Sequence, residues 1–223
     1  MPANDVLDVN VDIVICIDVT GSMYPVLGTV KDNALTFYER LGDALLEYKR
    51  DLQDLRIKVI AFRDVTCDGS GAIQESEFFN LPQQKEEFDS FVKGLKAEGG
   101  GDEAETALDV LAHAMHSEWV AEGAKRRHVI VMWTDAPTKD PTGGNGIIQD
   151  SVNNIGELYA LWQDAQNSIM DVNAKRLVLF TPNHESWNRL ESWALTTHLT
   201  TELGAGLGDV DMATFLTFLA KSL

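Results

Sequence analysis

The chain has 223 residues, 44% of them hydrophobic and 24% charged, an ordinary balance for a globular protein with a full core. Thirty-five acidic against 18 basic side chains leave a net charge of −17. Such a surface repels phosphate backbones, which makes nucleic acid and anionic membranes poor partners and favours cations and basic protein surfaces, while solubility alone would explain the charge equally well.

No Pro-, Gly- or Ser-rich linker divides the chain, so residues 1–10 read as an N-terminal tail and 11–223 as one domain. The opening MPANDVLDVN lacks the basic and apolar regions of a signal peptide. No later stretch approaches the roughly 18 consecutive apolar residues of a spanning helix. The chain is therefore expected to be cytoplasmic, with no membrane insertion.

Val11 to Ile17 is apolar apart from Asp12, the pattern of a strand buried on both faces in the middle of a parallel sheet. It runs into Asp18-Val19-Thr20-Gly21-Ser22. In open α/β sheets, ligands bind beyond the carboxyl ends of the strands, near the point where strand order reverses. A carboxylate and two hydroxyls placed there suit a hard divalent cation such as Mg2+. The same hydroxyls would serve equally well to cap the next helix, and this stretch alone leaves both readings open.

Met23 to Tyr48 carries Val26, Leu27, Val30, Ala34, Phe37, Leu41 and Leu45 at helical spacing. Arg56 to Phe62 reads as a second strand, followed by an Asp- and Gly-rich loop from Arg63 to Ala72. Glu77 to Leu81 reads as a short antiparallel edge strand, and Gln83 to Leu95 as a helix. Three glycines, Gly99 to Gly101, precede Asp102 and let the backbone turn sharply. Asp102 and Glu105 fit the N-cap and N3 places of a helix whose apolar face is Ala107, Leu108, Leu111, Ala112 and Met115.

His128 to Trp133 is another buried strand, and it brings Asp135 to the same sheet edge as Asp18. Lys139 to Gly146 reads as a flexible loop bordering that edge. A helix over 152–169, a strand over 176–180, a short helix over 185–195, a weak strand over 197–201 and a terminal helix over about 210–221 complete the chain. The alternation argues an α/β fold with a mostly parallel central sheet and helices on both faces.

Cys16, within the first strand, and Cys67, in a polar loop, read as a core residue and a free thiol. His113 and His116 share a helix face but have no third ligand nearby, and so read as surface or half-buried residues. Trp119, Trp162, Trp187 and Trp193 fall at helix-like positions and read as packing. Phosphate-cradling, dinucleotide-binding and nucleophile-elbow motifs are absent.

DVTGS at 18–22, GGGDEAE at 99–105 and WTDAP at 133–137 together resemble the von Willebrand factor A domain with its metal-ion-dependent adhesion site. The resemblance implies a Rossmann-like sheet and a Mg2+ held at its top by three loops, with Mn2+ or Ca2+ as other acceptable cations. It assigns the metal to Asp18, Thr20, Ser22, Asp102 and Asp135, with Thr106 as the other candidate in the second loop. It further implies a non-enzymatic, metal-dependent binding module in which a protein partner's Asp or Glu completes the coordination shell. Asp18 to Ser22 also resembles the Asp-Lys-Thr-Gly-Thr loop of haloacid-dehalogenase-like phosphotransferases, in which Asp18 would be a nucleophile beside Mg2+. A domain that kept the loop but binds partners elsewhere is the third reading.

Overall fold

The alternation along the first strand is set by burial on both of its sides. In the computed structural model, β1 spans Leu7–Asp18. Val9, Val11, Ile13, Ile15 and Ile17 face one core, while Val14 and Cys16 face the other. The described residues are 7–25, 27–47, 50–101, 104–122, 125–163 and 170–201. The terminal helix expected over about 210–221, and the end of the helix expected over 152–169, lie outside them.

The helices are α1 (Leu27–Glu47), α2 (Val65–Asp68), α3 (Lys85–Gly94), α4 (Ala107–Met115), α5 (Ile155–Gln163) and α6 (Glu185–Asn188). The remaining strands are β2 (Arg50–Phe62), β3 (Ile73–Glu75), β4 (Phe79–Leu81), β5 (Arg126–Trp133), β6 (Lys175–Pro182) and β7 (Thr196–Thr201). The sheet runs β3-β2-β1-β5-β6-β7, with β4 also paired to β2. β2, β1, β5, β6 and β7 are mutually parallel, whereas β3 and β4 are antiparallel to β2. This is an α/β fold with a mostly parallel, Rossmann-like sheet. Strand order reverses between β1 and β5, which makes their carboxyl ends the switch point of the sheet.

α1 supplies Leu27, Val30, Phe37, Leu41 and Leu45 to one core, joined by Phe88 and Val92 of α3. α4 supplies Leu108 and Leu111 to the other, with Leu158 and Trp162 of α5 and Trp187 of α6. Trp119, Trp162, Trp187 and Trp193 are all buried packing residues. Asp12, the break in the apolar run of β1, is buried but satisfied. Arg56 donates to both its oxygens at 2.8 and 2.6 Å, and the Val120 amide donates at 2.6 Å. No described helix is long and apolar enough to cross a membrane.

Several boundaries differ from the sequence expectation. β2 starts six residues before Arg56, in the polar RDLQDL, because the equally extended start of β1 pairs with it from Leu7↔Arg50 onward. The expected helix from Met23 divides into a 3-10 turn, Gly21–Met23, and α1, with Pro25 between them. The Arg63–Ala72 loop contains α2, and β3 follows it. The helix expected over 185–195 is only the single turn of α6. α4 begins at Ala107 with Thr106 as its N-cap, so Glu105 does not stand at N3 of that helix.

At the opposite end of the sheet, His128 is 2% exposed and its ring stacks on Trp119 with centroids 5.1 Å apart. Its Nε2–H donates to the Val120 carbonyl at 2.9 Å, and its Nδ1 accepts from the Asp171 amide at 3.3 Å. Burial, above all, holds the ring below its ordinary pKa of 6.5, although the Val120 bond opposes this. Below that ordinary value the unfolded chain takes up a proton that the folded ring refuses, so stability is full above it and falls as pH drops. The urea midpoint should accordingly decline from about pH 7 to about pH 5 more steeply in wild type than in His128→Gln. Parallel profiles for the two proteins would refute this assignment.

Candidate metal centre

Asp18 ends β1 at the switch point and is fully buried. Its Oδ1 accepts from the Thr20 amide at 2.8 Å and from the Thr20 hydroxyl at 2.6 Å. Its Oδ2 accepts from the Thr134 hydroxyl at 2.5 Å, across from the end of β5. Ser22 Oγ lies 3.2 Å from Thr20 Oγ1 and donates to Asp135 Oδ1 at 3.0 Å. The structure thus brings together four of the residues expected at this edge: Asp18, Thr20, Ser22 and Asp135.

The loop after β1 is held from two sides. Val19 donates its amide to the Phe62 carbonyl at 2.9 Å, and Gly21 donates to the Gly99 carbonyl at 3.2 Å. Gly100 has φ of +77°, and a Cβ there would sit 3.2 Å from Thr20 Cβ and Cγ2. A larger residue would both strain the backbone and push the Thr20 hydroxyl out of place. The glycine run read from the sequence as a turn is therefore a close approach onto the first loop.

Burial pushes the Asp18 carboxyl up to about 6, with Asp135 nearby acting in the same direction against the hydrogen bonds from Thr134 and Thr20. Burial also raises Asp135. Among the described residues, the buried Oδ2 of Asp135 accepts no hydrogen bond. An orphaned carboxylate oxygen beside a second buried carboxylate and two hydroxyls is an oxygen-rich arrangement, which fits a hard cation.

The second loop is expected to contribute Asp102 or Thr106. Asp102 lies outside the described residues. Thr106, the other candidate, turns its hydroxyl away to Asp64 at 2.9 Å and accepts from the Val65 amide at 3.1 Å. Glu105, expected as a helix cap, is instead 3% exposed and forms an isolated parallel bridge with Thr138. Its Oε1 would lie 3.5 Å from a Cβ on Gly100, the same point that touches Thr20. Thr134 is the site residue that sequence reasoning passed over, although it had a signal, standing directly before Asp135 at the end of β5. Among the described residues no group of three or more His, Cys, Asp or Glu side chains is arranged to hold a metal, His113 and His116 included. His113 bonds Gln149 O and Glu75, and His116 bonds Ala112 O. Cys16 is buried and Cys67 exposed, both as free thiols.

A mostly parallel sheet covered on both faces, with an oxygen-lined loop at its switch point, defines a Rossmann-like α/β domain. Residues 13–137 match the von Willebrand factor type A domain, and the chain belongs to that family. Among solved structures, the pilus adhesin SpaC from Lactobacillus rhamnosus GG is similar at 13% identity and a TM-score of 0.53, over 95% of this chain and 30% of that one. Proximal thread matrix protein 1 from the mussel byssus aligns at 11% identity and a TM-score of 0.48, over 97% of this chain and 47% of that one. The chain thus spans less than half the length of either protein, and the first likeness shows a common fold. No curated protein sequence matches the chain.

Replacing Thr134 by Val keeps the shape of the side chain but leaves Asp18 Oδ2 a buried acceptor without its donor. The variant should lose about 1–3 kcal/mol of unfolding free energy, measured by urea denaturation without divalent metal. A loss within error would show that the Thr134 bond does not hold Asp18.

Proposed function

We propose that the domain is a non-enzymatic protein-binding module whose switch-point loops hold Mg2+ and present it to a carboxylate of a partner. The observation that carries this reading is the orphaned, buried Asp135 Oδ2 on the same edge as Asp18, Thr20 and Ser22. Membership of the von Willebrand factor type A family supports an interaction module. Ser22 and Thr20 would offer hydroxyl oxygens, and Asp18 and Asp135 would act directly or through water. Asp102 is proposed as the second-loop contribution. Bound there, the cation supplies a positive charge with a coordination place left for an incoming oxygen. Each added carboxylate makes that cation less electrophilic, so this site should pull on an acidic ligand less strongly than one built with Thr.

Partner contact would extend beside the metal loop. Tyr24, two residues after Ser22, is 78% exposed. It lines a groove of about 380 Å³ together with Leu27, Lys31, Leu95, Lys96 and Glu98. An exposed aromatic at a groove with leucine and charged walls is the kind of anchor that protein interfaces use.

Calorimetric titration of Mg2+ and Mn2+ into wild type should show binding, and Ser22→Ala should lose it. Equal binding by the two proteins would overturn the adhesion-type site, because Ser22 is dispensable where Asp18 serves as a phosphate-accepting nucleophile. Recognition of a partner that persists in EDTA would overturn metal-mediated binding itself.

A further inference from the structure

Asp-Val-Thr occurs twice in this chain, at 18–20 and at 64–66. Both copies lie at the same sheet edge, Asp18 ending β1 and Asp64 following Phe62 at the end of the neighbouring β2. Both fold alike. Thr66 donates its amide to Asp64 Oδ1 at 3.1 Å and its hydroxyl to Asp64 Oδ2, as Thr20 donates both groups to Asp18.

They differ in charge balance. The second copy holds a cation belonging to the chain: Lys139 Nζ lies 2.8 Å from Asp64 Oδ2 and 3.0 Å from Thr66 Oγ1. Asp64 is fully buried. Burial would raise its carboxyl, but hydrogen bonds from Lys139 and Thr66 outweigh it and hold the group well below the usual carboxylate range.

Lys139 is also the residue that closes the loop after β5 onto the loop before α4. Its amide donates to the Glu105 carbonyl at 2.9 Å, the Glu105 amide donates to the Pro137 carbonyl at 2.9 Å, and Thr138 Oγ1 donates to the Glu105 carbonyl at 3.2 Å. The first of these loops carries Asp135 and the second carries Glu105. Thr106, next to Glu105, donates to Asp64 Oδ1 and so ties the second loop to the same carboxylate.

We infer that Lys139 is a positioning residue of the candidate metal centre: its ammonium is the resident cation of a second Asp-Val-Thr turn, and by filling that turn it sets the loops bearing Asp135 and Glu105 against each other. The inference rests on the metal-binding reading above. A group that orients metal ligands without touching the metal commonly changes affinity ten- to a hundredfold when removed.

The test is a double-mutant cycle with Asp64→Asn, Lys139→Met and the two combined. Mg2+ affinity is read by calorimetry, and backbone opening by amide hydrogen exchange of the metal-free proteins. The double variant leaves no unpaired buried charge, and urea unfolding shows that it is folded. Each variant should raise the Kd for Mg2+ about tenfold or more, and the double should be no weaker than the worse single, since all break one link. Exchange should quicken at the Glu105 and Lys139 amides. A folded double variant with wild-type Kd and wild-type exchange overturns the inference alone, as do losses that add as independent effects. A wild type that binds no Mg2+ overturns the metal reading and the positioning role with it.

Discussion

A carboxylate with no solvent exposure at the end of the central strand is the constraint on which the rest of this edge depends. Asp18 is carried there by a strand whose two faces are both needed for core, so it cannot turn outward without dismantling one of them. Its oxygens must be satisfied locally, and Thr20 and Thr134 do this from two different strand ends. Satisfying Asp18 therefore fixes the loop after β1 relative to the loop after β5. The position of Ser22 against Asp135 follows from the same arrangement.

The sequence made the centre of this structure legible and its periphery much less so. Buried strands such as Val11 to Asp18 and His128 to Trp133 announce themselves because burial on both faces removes polar alternation. The starts of β1 and β2 do not: RDLQDL becomes a strand only because a partner strand lies alongside it, which is tertiary context overriding local pattern. The same limit applies to β3, three residues long and defined by its pairing with β2.

Within the site, the residues placed by strand ends were readable and those placed by loop contacts were not. Asp18, Thr20, Ser22 and Asp135 follow from where β1 and β5 stop. Glu105 fitted a helix-capping pattern as read from spacing, yet α4 begins after it and its backbone pairs with Thr138 instead. The Thr106 hydroxyl donates to Asp64, which is distant in sequence. Spacing along a chain carries no information about such encounters.

The segment after Lys139 has the composition of a mobile loop, but the buried Asp109 of α4 gathers it. That carboxylate accepts from the Thr142 amide at 3.1 Å, the Gly144 amide at 2.9 Å and the Ser151 hydroxyl, with Gly144 in a left-handed conformation at φ of +60°. A surface whose shape is already fixed by an internal anion gives up little conformational entropy when something docks against it. In kinetic language, anything that docked here would meet a preformed wall, and its association would not wait on a loop-ordering step.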